Sequence, residues 1–113
     1  MEKDAEKLLV QLQILNQQLQ SILTQKQTLM LHITEIDQAV EEIKEGSGKV
    51  FSIIGPVLIE KDKKSIKKDL EERKEETELR IKTIEKHEKM LKDKIKEIQE
   101  KFAEMQPTLG TSE

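Results

Sequence analysis

The sequence predicts a mainly α protein: a long antiparallel coiled-coil helical hairpin with a β-hairpin at its connecting end. Three observations carry this. Apolar residues recur at alternating spacings of four and three through two long segments, the heptad signature of paired helices. Between those segments a single short run, Lys49 to Asp62, reads as β-structure. The 113 residues are 38% charged and only 2% aromatic, too poor in bulky side chains to fill the core of a compact globule.

The first helix is expected over about residues 4–45. With Leu8 at position d, the d row reads Leu8, Leu15, Ile22, Leu29, Ile36, Ile43, and the a row Ala5, Leu12, Leu19, Lys26, Ile33, Val40. Lys26 is the sole break. No Pro or Gly interrupts the segment before Gly46, which suits a helix stop.

The second helix is expected over about residues 63–106, with Asp62 as its N-cap, because a carboxylate there can accept from the free amides of the first turn. Its d row is Leu70, Thr77, Ile84, Leu91, Ile98, Met105; its weaker a row is Lys67, Lys74, Ile81, Glu88, Ile95, Phe102. Gln106-Pro107 ends it, leaving a flexible tail over 107–113. Helices of this length run roughly 60 Å. A parallel pairing would stretch the connection over that whole distance at about 3.3 Å per residue and leave no hairpin. The helices are therefore expected antiparallel, with both termini at the end remote from the β-segment, and residues 1–113 as a single domain.

The β-hairpin is expected over about residues 49–60, Gly55-Pro56 supplying the turn between Val50, Phe51, Ile53, Ile54 and Val57, Leu58, Ile59. One reading is a buried plug that caps the helices. Against it, a two-stranded hairpin is marginal alone, and this one has two unpaired edges and apolar residues on both faces. It needs more strands than this chain can offer. The expectation is an oligomer built through a shared sheet or barrel.

Apolar residues also fall outside the seam, with Val10 and Leu31 at f, Ile14 at c, Leu9, Leu23 and Met30 at e, and Met90 at c of the second helix. Several lie toward the free end, where fraying would expose seam residues as well. Such an end offers apolar groups to a partner, amid glutamines from Gln11 to Gln27 that commit it to no charge. The blander alternatives are packing in a larger bundle or ordinary surface leucines. Lys26 and Glu88, both at a positions, come near each other in an antiparallel pairing; a register key is one reading, but the expectation is the commoner one, a Lys stem running out to water.

Catalytic and metal motifs fail on inspection. His87-Glu88 begins a zinc-protease helix, yet Leu91 stands where the second histidine belongs. Gly46-Ser47-Gly48-Lys49 has Ile43 and Val50 at the other defining positions of a phosphate loop. His32 and His87 read as solvated helix residues, and the Lys61, Lys63, Lys64, Lys67, Lys68 run as a solvated face diluted by Glu60, Asp62 and Asp69. Exposed helices provide no dry concave site, so neither an enzyme nor a cofactor is expected. A net charge of −3 gives no footprint for nucleic acid, and the absence of cysteine excludes disulfides and Cys-based metal sites. MEKDAEKLL is not a signal peptide and no run approaches ~18 apolar residues, so a cytosolic protein without membrane contact is expected.

The order of heptad helix, GKVFSIIGPVLIEKD and LEERKEETELRIKTIEKHEKMLKDKIKEIQEKF resembles the β-type subunits of prefoldin, the archaeal β subunit and eukaryotic subunit 6 among them. The resemblance runs from about Glu6 to Met105, and the pattern V-[FY]-x-x-x-G-x-[VI]-L-[IV] at Val50, Phe51, Gly55, Val57, Leu58 and Ile59 is its most specific part. It implies a hexamer of two α-type and four β-type subunits whose hairpins join in an intersubunit β-barrel, with coiled coils hanging from it. It further implies ATP-independent capture of unfolded polypeptides at the coiled-coil tips and delivery to a group II chaperonin. Val50, Phe51, Ile53, Ile54, Val57, Leu58 and Ile59 then become assembly residues, and Leu8, Leu9, Leu12, Leu15, Phe102 and Met105 client-contact residues. Lys101, Glu104 and Gln106 lie alongside as alternative chaperonin contacts. The competing function is a structural tether or scaffold, in which the coiled coil spaces two fixed partners.

Overall fold

A computed structural model of the chain describes residues 2–45, 50–54 and 56–105, with the side chains of residues 2, 45, 52–54 and 57–59 outside that description. The elements are helix α1 (Glu2–Glu45), strands β1 (Val50–Ile54) and β2 (Val57–Lys61), and helix α2 (Lys63–Met105). The order is the one the sequence predicts. The bounds differ by one or two residues, as helix and strand ends commonly do. The expected stop at Gly46, the turn residue Gly55, the terminator Gln106-Pro107 and the tail lie outside the described residues.

Helix α1 runs unbroken for 44 residues because nothing in it resists the helical backbone: it holds no Pro or Gly, and the good helix formers Leu, Gln and Glu dominate. Thr24 and Thr34 place their hydroxyls on the carbonyls of Gln20 and Met30, four residues back, at 3.0 and 3.2 Å. Their polar atoms are thereby satisfied within the helix. Lys44 occupies the last turn, where a cation suits the negative end of the helix dipole. Helix α2 begins directly after Asp62, whose carbonyl accepts the Ile66 amide at 3.1 Å. That is the N-cap position expected of Asp62.

Strands β1 and β2 pair antiparallel with Val50 opposite Lys61, Phe51 opposite Glu60, Ser52 opposite Ile59, Ile53 opposite Leu58 and Ile54 opposite Val57. The alternation puts positions 51, 53, 58 and 60 on one face of the ladder and 50, 52, 54, 57, 59 and 61 on the other. Apolar residue types occupy both faces.

Contacts gather the chain into two compact units, each combining a stretch of α1 with a stretch of α2. The first comprises residues 1–26 and 83–113; its seam buries Ile22, Leu91, Ile95 and Ile98, each contributing roughly 1.5–3 kcal/mol by leaving water. The second comprises residues 27–82, buries Leu29, and contains the β-hairpin. There Lys74 pairs with Asp37 at 2.7 Å, and the Thr77 hydroxyl bonds the Arg73 carbonyl at 2.7 Å. The heptad reading holds closely. Every predicted a and d residue is buried or half-buried except Met105, the last described residue of α2.

Candidate functional site

The predicted client-contact residues all belong to the first unit. Leu8, Leu12 and Leu15 lie on the seam face of α1, half-buried, and Phe102 is half-buried on α2. Leu9 and Met105 are 44% and 39% exposed. Val10 and Ile14, four residues apart and therefore on one helix face, are exposed as well, and so is Met90. Near its chain ends this unit thus combines loosely covered seam residues with apolar side chains already in water. Lys101 and Glu104 beside them are exposed, with Lys101 paired to Glu97 at 3.5 Å; Gln106 lies outside the described residues.

Of the predicted assembly residues, Val50 is half-buried and Phe51 is 48% exposed. The backbones of Ile53, Ile54, Val57, Leu58 and Ile59 are in the strands as expected, and their side chains lie outside the described residues. Among the described residues the sheet has two strands, and so two edges. An aromatic side chain half in water beside unpaired strand edges is a surface suited to strand addition.

Deeper in the first unit the structure corrects one expectation. Lys26 does not run out to water: its Nζ donates to Glu88 Oε1 at 3.1 Å and pairs with Glu85 Oε2 at 3.3 Å. Glu88, only 9% exposed, accepts a second bond on Oε2 from Lys92 Nζ at 2.7 Å. The stem of Lys26 is held in the seam because two carboxylates meet its charge there, which removes the reason to extend. Hydrogen bonds from Lys92, first, and Lys26 hold the Glu88 carboxyl below the ordinary carboxylate range, against the opposing effect of burial. The bonds to Glu88 and then Glu85 raise Lys26 in turn. Sequence reasoning missed Glu85 and Lys92. Both occupy e positions flanking the a-position Glu88, so extending the heptad reading from a and d to e would have found them. The same extension finds Asp37, an e-position partner whose hydrogen bond raises Lys74 at position a.

Two other features are solvated. His32 and His87 are exposed, as expected, and among the described residues no group of His, Cys, Asp and Glu is arranged to hold a metal ion. Among the described residues, no helix is long and apolar enough to cross a membrane.

A helical hairpin with a seam of heptads and a β-hairpin at the chain reversal defines a class of coiled-coil subunits. The sequence matches the family described as "Prefoldin subunit" over residues 6–108. The fold is similar to the prefoldin beta subunit from Thermococcus strain KS-1, with 30% identity, a TM-score of 0.84, and coverage of 90% of this chain and 91% of that one. It is also similar to the prefoldin beta2 subunit of the same strain, at 22% identity, a TM-score of 0.71, and coverage of 78% and 96%, a likeness of fold alone. No curated protein matches the sequence. The chain belongs to the prefoldin family, as a β-type subunit. It is therefore a chaperone subunit, of a family whose members act without catalysis and assemble into hetero-oligomers.

Proposed function

We propose that this chain captures unfolded polypeptides at the free end of its coiled coil, without ATP, and delivers them to a group II chaperonin from the cytoplasm. Residues 1–113 act in this reading as one β-type domain within a hexamer of two α-type and four β-type subunits. The observation that carries the reading is the apolar surface at the chain ends: Leu9 and Met105 stand in water beside Leu8, Leu12, Leu15 and Phe102, whose cover is partial. Each such contact is weak. Several coiled coils held on one platform turn many weak contacts into retention, because each further contact becomes intramolecular once the first has formed.

The platform is the β-hairpin. Val50, Phe51, Ile53, Ile54, Val57, Leu58 and Ile59 join those of neighbouring subunits in a barrel, which removes the unpaired edges and covers Phe51. The test is light scattering: combined with an α-type partner, the chain should suppress aggregation of a chemically unfolded enzyme without ATP. Removing both coiled-coil ends should abolish suppression while the hexamer still assembles. Undiminished suppression after that truncation would reject capture at the free end.

A further inference from the structure

Lys26 and Glu88 lie in the seam of a helix pair whose other buried residues in the first unit are aliphatic, with Glu85 and Lys92 exposed at its edge. Charges in that place are expensive to desolvate, and an aliphatic pair of similar size would ordinarily hold two helices together at least as well. What aliphatic residues cannot do is distinguish one heptad from the next. On α1 the a and d positions from Leu8 to Ile43 are Leu, Ile or Val apart from Lys26, so a shift of seven residues presents α2 with nearly the same surface.

We infer that the Lys26–Glu88 layer, completed by Glu85 and Lys92, fixes the register in which α1 pairs with α2 and excludes α1 from pairing with another copy of itself. Lys26 stands opposite Glu88 in the observed pairing. Sliding one helix by a heptad in either direction brings Lys26 against Ile81 or Ile95, and Glu88 against Leu19 or Ile33. Glu88 then loses Lys26 and keeps only Lys92 of its own helix, its carboxylate set against aliphatic side chains; Lys26 meets Lys92 when set against Ile95 and keeps carboxylate neighbours, Glu78 and Glu85, only when set against Ile81. A parallel pairing of two copies of α1 in register would set Lys26 against Lys26, and of two copies of α2, Glu88 against Glu88. Of these pairings, only α1 against α2 in the observed register sets Lys26 opposite Glu88. A charged layer among apolar ones acts in this way when its selectivity exceeds what it sacrifices in stability, and in the second unit Lys74 with Asp37 adds another.

The chain connection does not make this redundant. A one-heptad slide is about 10 Å along a helix. Four residues separate Glu45 from Val50 in sequence, five Cα steps with a fully extended reach of roughly 17 Å, longer than the slide itself. Register matters because it decides which apolar residues of the two chain ends lie side by side.

The experiment uses the full chain, which has no cysteine of its own. Spin labels are placed at the exposed positions Gln17 and Lys86 through Q17C and K86C, and the distance between them is measured by pulsed electron resonance. A second sample carries K26L and E88L in addition, and a mixture of singly labelled Q17C chains reports pairing of α1 between copies. The original pair should give one narrow distance. The leucine pair should keep its helix content by circular dichroism yet show a second population displaced by a one-heptad slide, or a new distance between copies. One unchanged narrow distance in the leucine pair, with no signal between copies, overturns the inference. Loss of helix in the leucine pair overturns it too, since the layer would then be required for folding rather than for selection.

Discussion

Glu88 shows how one seam position couples stability to pH. Its folded carboxyl titrates below its ordinary value near 4.5, through the bonds from Lys92 and Lys26, so its contribution is fully present above that value and fades as pH falls through the lowered one. Lys26 and Lys74 titrate above their ordinary 10.5, and their contributions are fully present below it and lost as pH rises through the raised values. Urea midpoints followed by circular dichroism should therefore be insensitive to these groups between pH 6 and 9. Below pH 4.5 the original chain should lose stability more steeply than E88Q, which cannot titrate at that site. Equal slopes would mean that Glu88 is as well solvated in the folded chain as in the unfolded one.

Along each helix, the period of apolar residues decides which substitutions matter. Leu91, Ile95 and Ile98 are buried, so truncation to alanine at any of them should cost about 2–5 kcal/mol, toward the lower end because a two-helix seam can close on the space. Val10 and Ile14 are exposed, and their alanine variants should stay within about 0.5 kcal/mol of the original. Denaturant unfolding of the five variants measures the contrast. This division was legible in the sequence, because the a and d rows follow from spacing alone and the seam obeys them down to half-buried Lys67 and Thr77. What spacing could not settle was the direction a long side chain takes once in the seam. Lys26 has stem enough to reach either water or Glu88, and the choice depends on Glu85 and Lys92 arriving from the next turns of α2. Leu79, 59% exposed in the second unit, was passed over although it stands at an f position as Val10 and Leu31 do. At the β-hairpin the two strands were readable from the β-rich runs on either side of Gly55-Pro56, and their register, with Ile54 opposite Val57, fits a two-residue connection.

For the whole molecule, the proposed assembly and capture surfaces should be separable by substitution. Phe51, nearly half exposed on a strand with an unpaired edge, should be covered only when other subunits add strands. F51D should therefore leave the helix content of the chain intact and prevent complex formation with an α-type partner, read as mass by light scattering. A complex of unchanged mass would place the interface elsewhere. The most direct test of the account concerns capture itself. In the assembled complex a photo-crosslinking residue is placed in turn at Leu9, at Met105 and at the more exposed Leu79, and an unfolded protein is added without ATP. The account predicts crosslinks from the first two positions and few from Leu79, since exposure alone does not bring a client; equal labelling at Leu79, or none at Leu9 and Met105, would contradict it.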